Sequence, residues 1–244
     1  MARVIRLHWR LDFDVSYPYL DKRGTALKAL SETVEGFWTT VGPATLPLSF
    51  AAEKVDQTSH TVFSWEMANL NGSLEWPTGI DIERVFENPE VRACDRIVKE
   101  ALKIADVRFV NRAGIRLFCV EKFAKRQTGS AVERVAGLVA PAFREGLKET
   151  MGRTDDFAVI YEGSSEDGLA YRIQMGPYLP KNPRMVFLRK WEELSQPLDE
   201  NDLFFDIDIF EKTFSFSEHS LFRWGSTKVT KAANFIEFCA KNIR

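Results

Sequence analysis

The chain has 244 residues, 45% hydrophobic and 28% charged, which is enough apolar material for a substantial core and excludes extended disorder. Its 33 Lys and Arg against 35 Asp and Glu give a formal charge of -2 and a pI near 6.0, without the basic excess that binding to a nucleic-acid backbone requires. Residues Met1 to His8 contain no apolar leader, no run is long enough to span a bilayer, and Cys94, Cys119 and Cys239 are widely spaced. The expectation is a cytoplasmic protein with reduced thiols, no cofactor and no membrane association.

In chain order, the first segment alternates, with Ile5, Leu7, Trp9, Leu11 and Phe13 on one side and Arg6, His8, Arg10, Asp12 and Asp14 on the other, the pattern of a strand with one buried face. From Asp21 the apolar period becomes helical, through Leu27, Leu30 and Val34, until Gly42-Pro43. Thr61, Phe63, Trp65 and Met67 alternate again, and Asn71-Gly72 reads as a type I′ hairpin turn leading into a strand from Leu74 to Val85. Asn88-Pro89-Glu90 supplies a cap and a first-turn proline for a helix carrying Val91, Cys94, Val98, Ala101, Leu102 and Ala105.

The second half repeats that order. Val107, Phe109, Ile115, Leu117 and Cys119 mark the inner face of a long strand, Ser130 and Glu133 suit a capping box, and Pro141 should kink or divide the helix that follows. Strands are expected at Phe157 to Glu162, Leu169 to Met175, Met185 to Trp191 and Leu203 to Phe210, with a turn at Ser164 to Gly168. A final helix presents Val229, Ala233, Ile236, Ala240 and Ile243, widened by Phe235 and Phe238. The expected fold is α+β, with duplicated β-α-β(3-4)-α units, antiparallel sheets and a TBP-like arrangement. The halves are residues 1–106 and 107–244, within one continuous structural unit. Residues Val107 to Val120 should then lie antiparallel to Leu203 to Glu211, setting arginines against aspartates.

No catalytic or nucleotide motif stands out. Asp206-x-Asp208 has the spacing of two carboxylates on one strand face that can hold a divalent cation, but alternation alone accounts for both residues, and no metal is expected. His8, His60 and His219 lack metal-ligand spacing. The segment Gly163 to Gly168 is hairpin chemistry, and Gly225-Ser226-Thr227-Lys228 lacks the spacing of a phosphate loop. Trp9, Trp38 and Trp65 follow the core period, whereas Trp76 and Trp224 near element ends are the tryptophans expected at a contact surface. What remains is a sheet face bearing Arg6, His8, Arg10, Arg112, Arg116 and Arg172, with Arg108 beside them. Convergent guanidiniums suit anions or acidic partners, unless aspartates 12, 14, 206 and 208 on the same face neutralise them.

The segment from Val110 to Arg116, Val-Asn-Arg-Ala-Gly-Ile-Arg, and the later Phe205-Asp206-Ile207-Asp208 resemble two short motifs of a sporadically distributed family of bacterial proteins of similar length. The chain departs from that pattern at Leu117, where the family more often has an aromatic residue. The resemblance covers few residues of the second half, supports the architecture, implies a bacterial or phage origin, and implies no reaction.

The expectation is therefore a non-enzymatic binding or regulatory module engaging a protein partner or a small anionic ligand through an exposed sheet face. Homo-oligomers are compatible with it. Two alternatives stand beside it: a metal-dependent hydrolase or phosphoesterase built on Asp206 and Asp208, and nucleic-acid binding by a curved sheet, which the charge balance disfavours.

Overall fold

Alternating and helical periods along the chain resolve into nine described strands: β1 (Arg3–Asp12), β2 (Thr39–Thr40), β3 (Ser49–Val55), β4 (His60–Glu66), β5 (Asn69–Asp81), β6 (Phe109–Glu121), β7 (Val159–Ser164), β8 (Ala170–Pro177) and β9 (Leu203–Ser215). The helices are α1 (Tyr17–Thr33), α2 (Pro89–Ile104), α3 (Ala131–Ala136), α4 (Pro141–Met151) and α5 (Leu221–Asn242), with a 3-10 turn at Ile82–Glu87. These come from a computed structural model that describes residues 2–33, 39–40, 49–55, 59–122, 131–152, 155–178, 202–215 and 220–243. The expected Met185 to Trp191 strand, Ser130, His219, Trp38 and the end of the first helical run lie outside the described residues.

The strands form one antiparallel sheet in the order β2-β3-β4-β5-β1-β6-β9-β8-β7, so the protein is α+β. Its centre is the β1–β6 pair, where Leu7 faces Leu117, Trp9 faces Ile115 and Leu11 faces Ala113. These side chains join Phe205, Ile207 and Ile209 of β9 in the main core, against Val91, Cys94, Ile97 and Val98 of α2 and Val229, Ala232 and Ile236 of α5. Strand β9 lies antiparallel to β6, pairing Arg116 with Asp208.

Local chemistry explains several boundaries. Asn88 accepts a hydrogen bond from the Glu90 N–H at 2.8 Å, and Pro89 opens α2 without losing a helical bond. The Glu90 carboxylate in turn accepts from Trp76 Nε1 at 3.0 Å and from the Ser59 hydroxyl, anchoring α2 to the first-half strands. Pro141 divides the helical stretch, ending α3 at Ala136 and starting α4. Ser220 caps α5 through the Arg223 N–H at 2.9 Å.

The structure differs from the sequence pattern at six places. Pairing of β1 is irregular between Val4 and Arg6, a bulge that turns Ile5 onto the opposite face, where it joins Phe118, Val120, Tyr178 and Phe204 in a small second cluster. On β6, Phe109 is 67% exposed and Val110 is buried instead. Asn71-Gly72 is not a turn: β4 and β5 are joined through Met67 and Ala68, and Gly72 pairs with Phe63 inside the ladder. A Cβ on Gly72 would sit 2.7 Å from Trp9 Cζ2 and from the Val62 carbonyl, so glycine here makes room for an indole. Strand β5 stops at Asp81, whose carboxylate caps the following 3-10 turn through the Glu83 N–H. Finally, Trp76 and Trp224 are buried rather than presented, and Phe238 of α5 is 61% exposed because Cys239 takes the inward position.

Candidate functional site

Side chains that alternate out of the main core converge on the other face of the sheet in register-defined rows. One row runs Glu162, Arg172, Asp208, Arg116, His8, Ser73 from β7 to β5; the next runs Gln174, Asp206, Phe118, Arg6, Glu75, His60 from β8 to β4. A third carries Phe210, Gly114, Arg10 and Asn71. Antiparallel pairing thus gathers residues from seven strands onto one surface.

Across the third row the face sinks into a cleft of about 440 Å³, lined by His8, Arg10, Asn71, Arg112, Arg116, Phe118 and Asp208. Its floor is Gly114, where the missing side chain leaves the hollow; a Cβ there would point at Phe210 Cβ, 3.2 Å away. Three guanidiniums frame it. Arg116 is fixed by two hydrogen bonds to Asp206, Nε to Oδ1 at 2.7 Å and Nη2 to Oδ2 at 2.5 Å. Arg10 donates through Nε to Asp12 at 2.7 Å. Arg112 lies over the Phe210 ring, 4.2 Å from its centroid, with Nη2 3.6 Å from Asp208, too long for a hydrogen bond.

The electrostatics follow from this crowding. Burial, then the charges of Arg6 and Arg116, lowers the His8 pKa to about 4, so its imidazole is neutral at neutral pH. Its ring meets Phe118 edge-on, with centroids 5.8 Å apart. Burial raises the Asp208 carboxyl above its usual range against the opposing pull of Arg112 and Arg116. The Arg116 guanidinium is held charged more firmly still, chiefly by its hydrogen bonds to Asp206. The arrangement can present fixed positive groups and one neutral imidazole to an anion.

Of the residues singled out from the sequence, His8, Arg10, Arg112 and Arg116 meet at the cleft. Arg6 and Arg172 do not line it. Arg6 is 2.5 Å from Glu75 and its side chain is 19% exposed, while Arg172 binds Glu162 at 2.8 Å toward the sheet edge. Arg108 precedes β6 and lies 3.9 Å from Asp106. The aspartates do offset arginines, but diagonally across the β6–β9 register in Arg116–Asp206 and Arg112–Asp208 and along one strand in Arg10–Asp12. Sequence reasoning missed Gly114, Phe118, Phe210 and Asn71. The signal for Gly114 was its position midway between two same-face arginines on a strand.

Other features resolve as structure. The hairpin after β7 closes with Ser165 bonded to Asp167, and Lys228 and Lys231 of α5 lie 3.4 and 3.5 Å from that carboxylate. The Ser165 hydroxyl, then the lysines, hold Asp167 well below the usual carboxylate range. His60 Nε2 contacts Glu53 Oε1 at 2.5 Å, beside the Arg6–Glu75 pair. Cys94, Cys119 and Cys239 are free and buried. Among the described residues, no group of three or more His, Cys, Asp or Glu is placed to hold a metal ion, and no helix is long and apolar enough to cross a membrane.

No protein-family model and no curated protein matches the chain. Among solved structures it is similar to the crystal structure of the Trypanosoma brucei AdoMetDC-delta26 monomer, at 9% identity and a TM-score of 0.33, over 86% of this chain and 66% of that one. The matched region thus spans just under two thirds of that protein's chain.

Proposed function

We propose that the protein is a non-enzymatic binding module that engages an anionic group, on a small ligand or an acidic protein partner, through the open face of its sheet. The observation that carries this reading is the convergence of Arg10, Arg112, Arg116 and the neutral His8 on a cleft floored by Gly114. The phosphoesterase alternative is weakened by the engagement of both Asp206 oxygens with Arg116. A reducing, cytoplasmic setting belongs to the same proposal, supported by three buried free thiols.

A duplicated, TBP-like pair of halves is supported by the sheet order, since β1-β5-β4-β3 on one side of the centre mirrors β6-β9-β8-β7 on the other. Kinship with the bacterial family whose motifs residues 110–116 and 205–208 resemble is supported by where those segments lie, because Arg112, Gly114, Arg116 and Asp208 all line the cleft. The test is ligand-dependent stabilisation. Thermal unfolding of the wild type should shift upward with phosphate, citrate or an acidic peptide, and the Arg10→Gln/Arg112→Gln double variant should lose that shift. An unchanged shift in the double variant would remove the open face from consideration, and no shift with any anion would refute the module as stated.

A further inference from the structure

We infer that the cleft above Gly114 is a site for the phosphoryl group of a small phosphomonoester. This rests on the open-face reading above and narrows it to a chemical class. The guanidinium edges already committed to aspartates select the kind of anion that fits. A planar carboxylate is best held by a side-on fork, the Nε and Nη2 edge of one arginine. At Arg116 that edge is occupied by Asp206, and at Arg10 the Nε is occupied by Asp12. Those bonds leave Nη1 and Nη2 of Arg10 and Nη1 of Arg116 uncommitted, at a cleft that both arginines line.

Those donors sit around the hollow rather than along one edge. Arg10 lies directly across from Gly114 on β1, Phe210 lies across from it on β9, and Arg112 and Arg116 stand two residues before and after it on β6. A tetrahedral group with three terminal oxygens accepts hydrogen bonds from several directions at once, whereas a carboxylate accepts in one plane. His8 adds a neutral imidazole at the same wall, able to hydrogen-bond without bringing another charge. The remainder of the ligand has a surface to meet as well. Phe118 lines the cleft, and the Arg112 guanidinium is stacked on Phe210, offering a flat cationic plane. At about 440 Å³ the cleft is in the range of small-ligand sites and has the capacity for a nucleotide-sized molecule.

Gly114 supplies the discriminating variant, because a side chain there fills the hollow without changing any charge on the face. Titration calorimetry on the full chain would compare inorganic phosphate, O-phosphoserine, adenosine 5′-monophosphate and citrate. The expected result is that phosphomonoesters bind more tightly than citrate. Gly114→Ala and Arg112→Gln should each weaken that binding by roughly tenfold or more, about one charge-assisted hydrogen bond's worth. The ranking of phosphate, phosphoserine and nucleotide then tells which body the phosphoryl group carries.

Because a Cβ at Gly114 meets Phe210 at 3.2 Å, Arg112→Gln provides the independent variant, its guanidinium having no hydrogen bond to lose among the described residues. Citrate binding as tightly as the phosphomonoesters would overturn the phosphoryl assignment. Phosphomonoester binding that survives both variants would overturn the cleft while leaving the open-face reading to its own test. Absence of phosphomonoester binding to the wild type would overturn the inference outright, and an acidic peptide that still stabilised the protein would show the broader reading intact.

Discussion

The Arg116–Asp206 pair should be the most strongly coupled ion pair on the open face, and the coupling can be sized from its surroundings. Two charge-assisted hydrogen bonds, at 2.7 and 2.5 Å, join an aspartate side chain that is 10% exposed to an arginine that is 44% exposed. Fully exposed pairs contribute about 0.2–1 kcal/mol, and losing one partner of a fully buried pair costs about 3–5 kcal/mol. Water reaches the arginine but scarcely the carboxylate, so Arg116→Ala should cost about 2 kcal/mol, mostly by leaving Asp206 desolvated and unpaired. In a chain of this size that corresponds to a fall in Tm of about 4–8 °C. Asp206→Asn keeps one acceptor and should cost about half as much.

Urea denaturation of both single variants and the double variant closes a cycle whose coupling should be about 1–2 kcal/mol. The same cycle on Arg172 and Glu162, with side chains 38% and 66% exposed, should give no more than about 0.5 kcal/mol. Equal couplings in the two cycles would refute the claim that burial of Asp206 sets the strength of the pair.

Other outcomes follow from single features. Gly72→Ala should destabilise by about 3 kcal/mol, because its Cβ collides with both an indole and a backbone oxygen at 2.7 Å, and Trp9→Phe in the same chain should recover part of the loss in urea melts. A cost under about 1 kcal/mol would show that the ladder accommodates a Cβ there and would refute the steric reading. His8 binds its proton more weakly folded, near pH 4, than unfolded, near 6.5. Its contribution is thus complete above pH 6.5 and is lost as pH falls toward 4, up to about 3 kcal/mol, and His8→Gln should flatten stability over that window. Burial raises all three thiols, Cys239 to about 11, so none should react with a thiol reagent at pH 8 until the protein is unfolded. Rapid labelling of the folded chain would contradict their burial.

Strand β1, helix α2 and the division at Pro141 were legible because each is set by local chemistry: a period of two, an Asn-Pro start, a missing N–H. The β6–β9 pairing was legible too, since it follows from alternation together with one topological assumption. The misreadings share a different cause. Gly72 and Ile5 are decided by what lies across the ladder, Trp9 in one case and the shift in pairing against Phe118 and Cys119 in the other, and neither neighbour is near in sequence. A glycine after an asparagine looks the same whether it turns the chain or clears space for an indole.

The cleft was half legible for the same reason. Alternation sets Arg112 and Arg116 on one face and makes Asp208 the direct partner of Arg116, yet the guanidinium reaches diagonally to Asp206. That diagonal changes the chemistry of the face. If each arginine met its opposite aspartate squarely, the charges would cancel in rows and leave a neutral solvated surface. Instead Asp206 takes one edge of Arg116, Asp208 stands back from Arg112 at 3.6 Å, and Gly114 keeps the space between them open. Formal neutrality of the face is therefore compatible with unspent hydrogen-bonding capacity at one point on it, and that point is where a ligand should be sought.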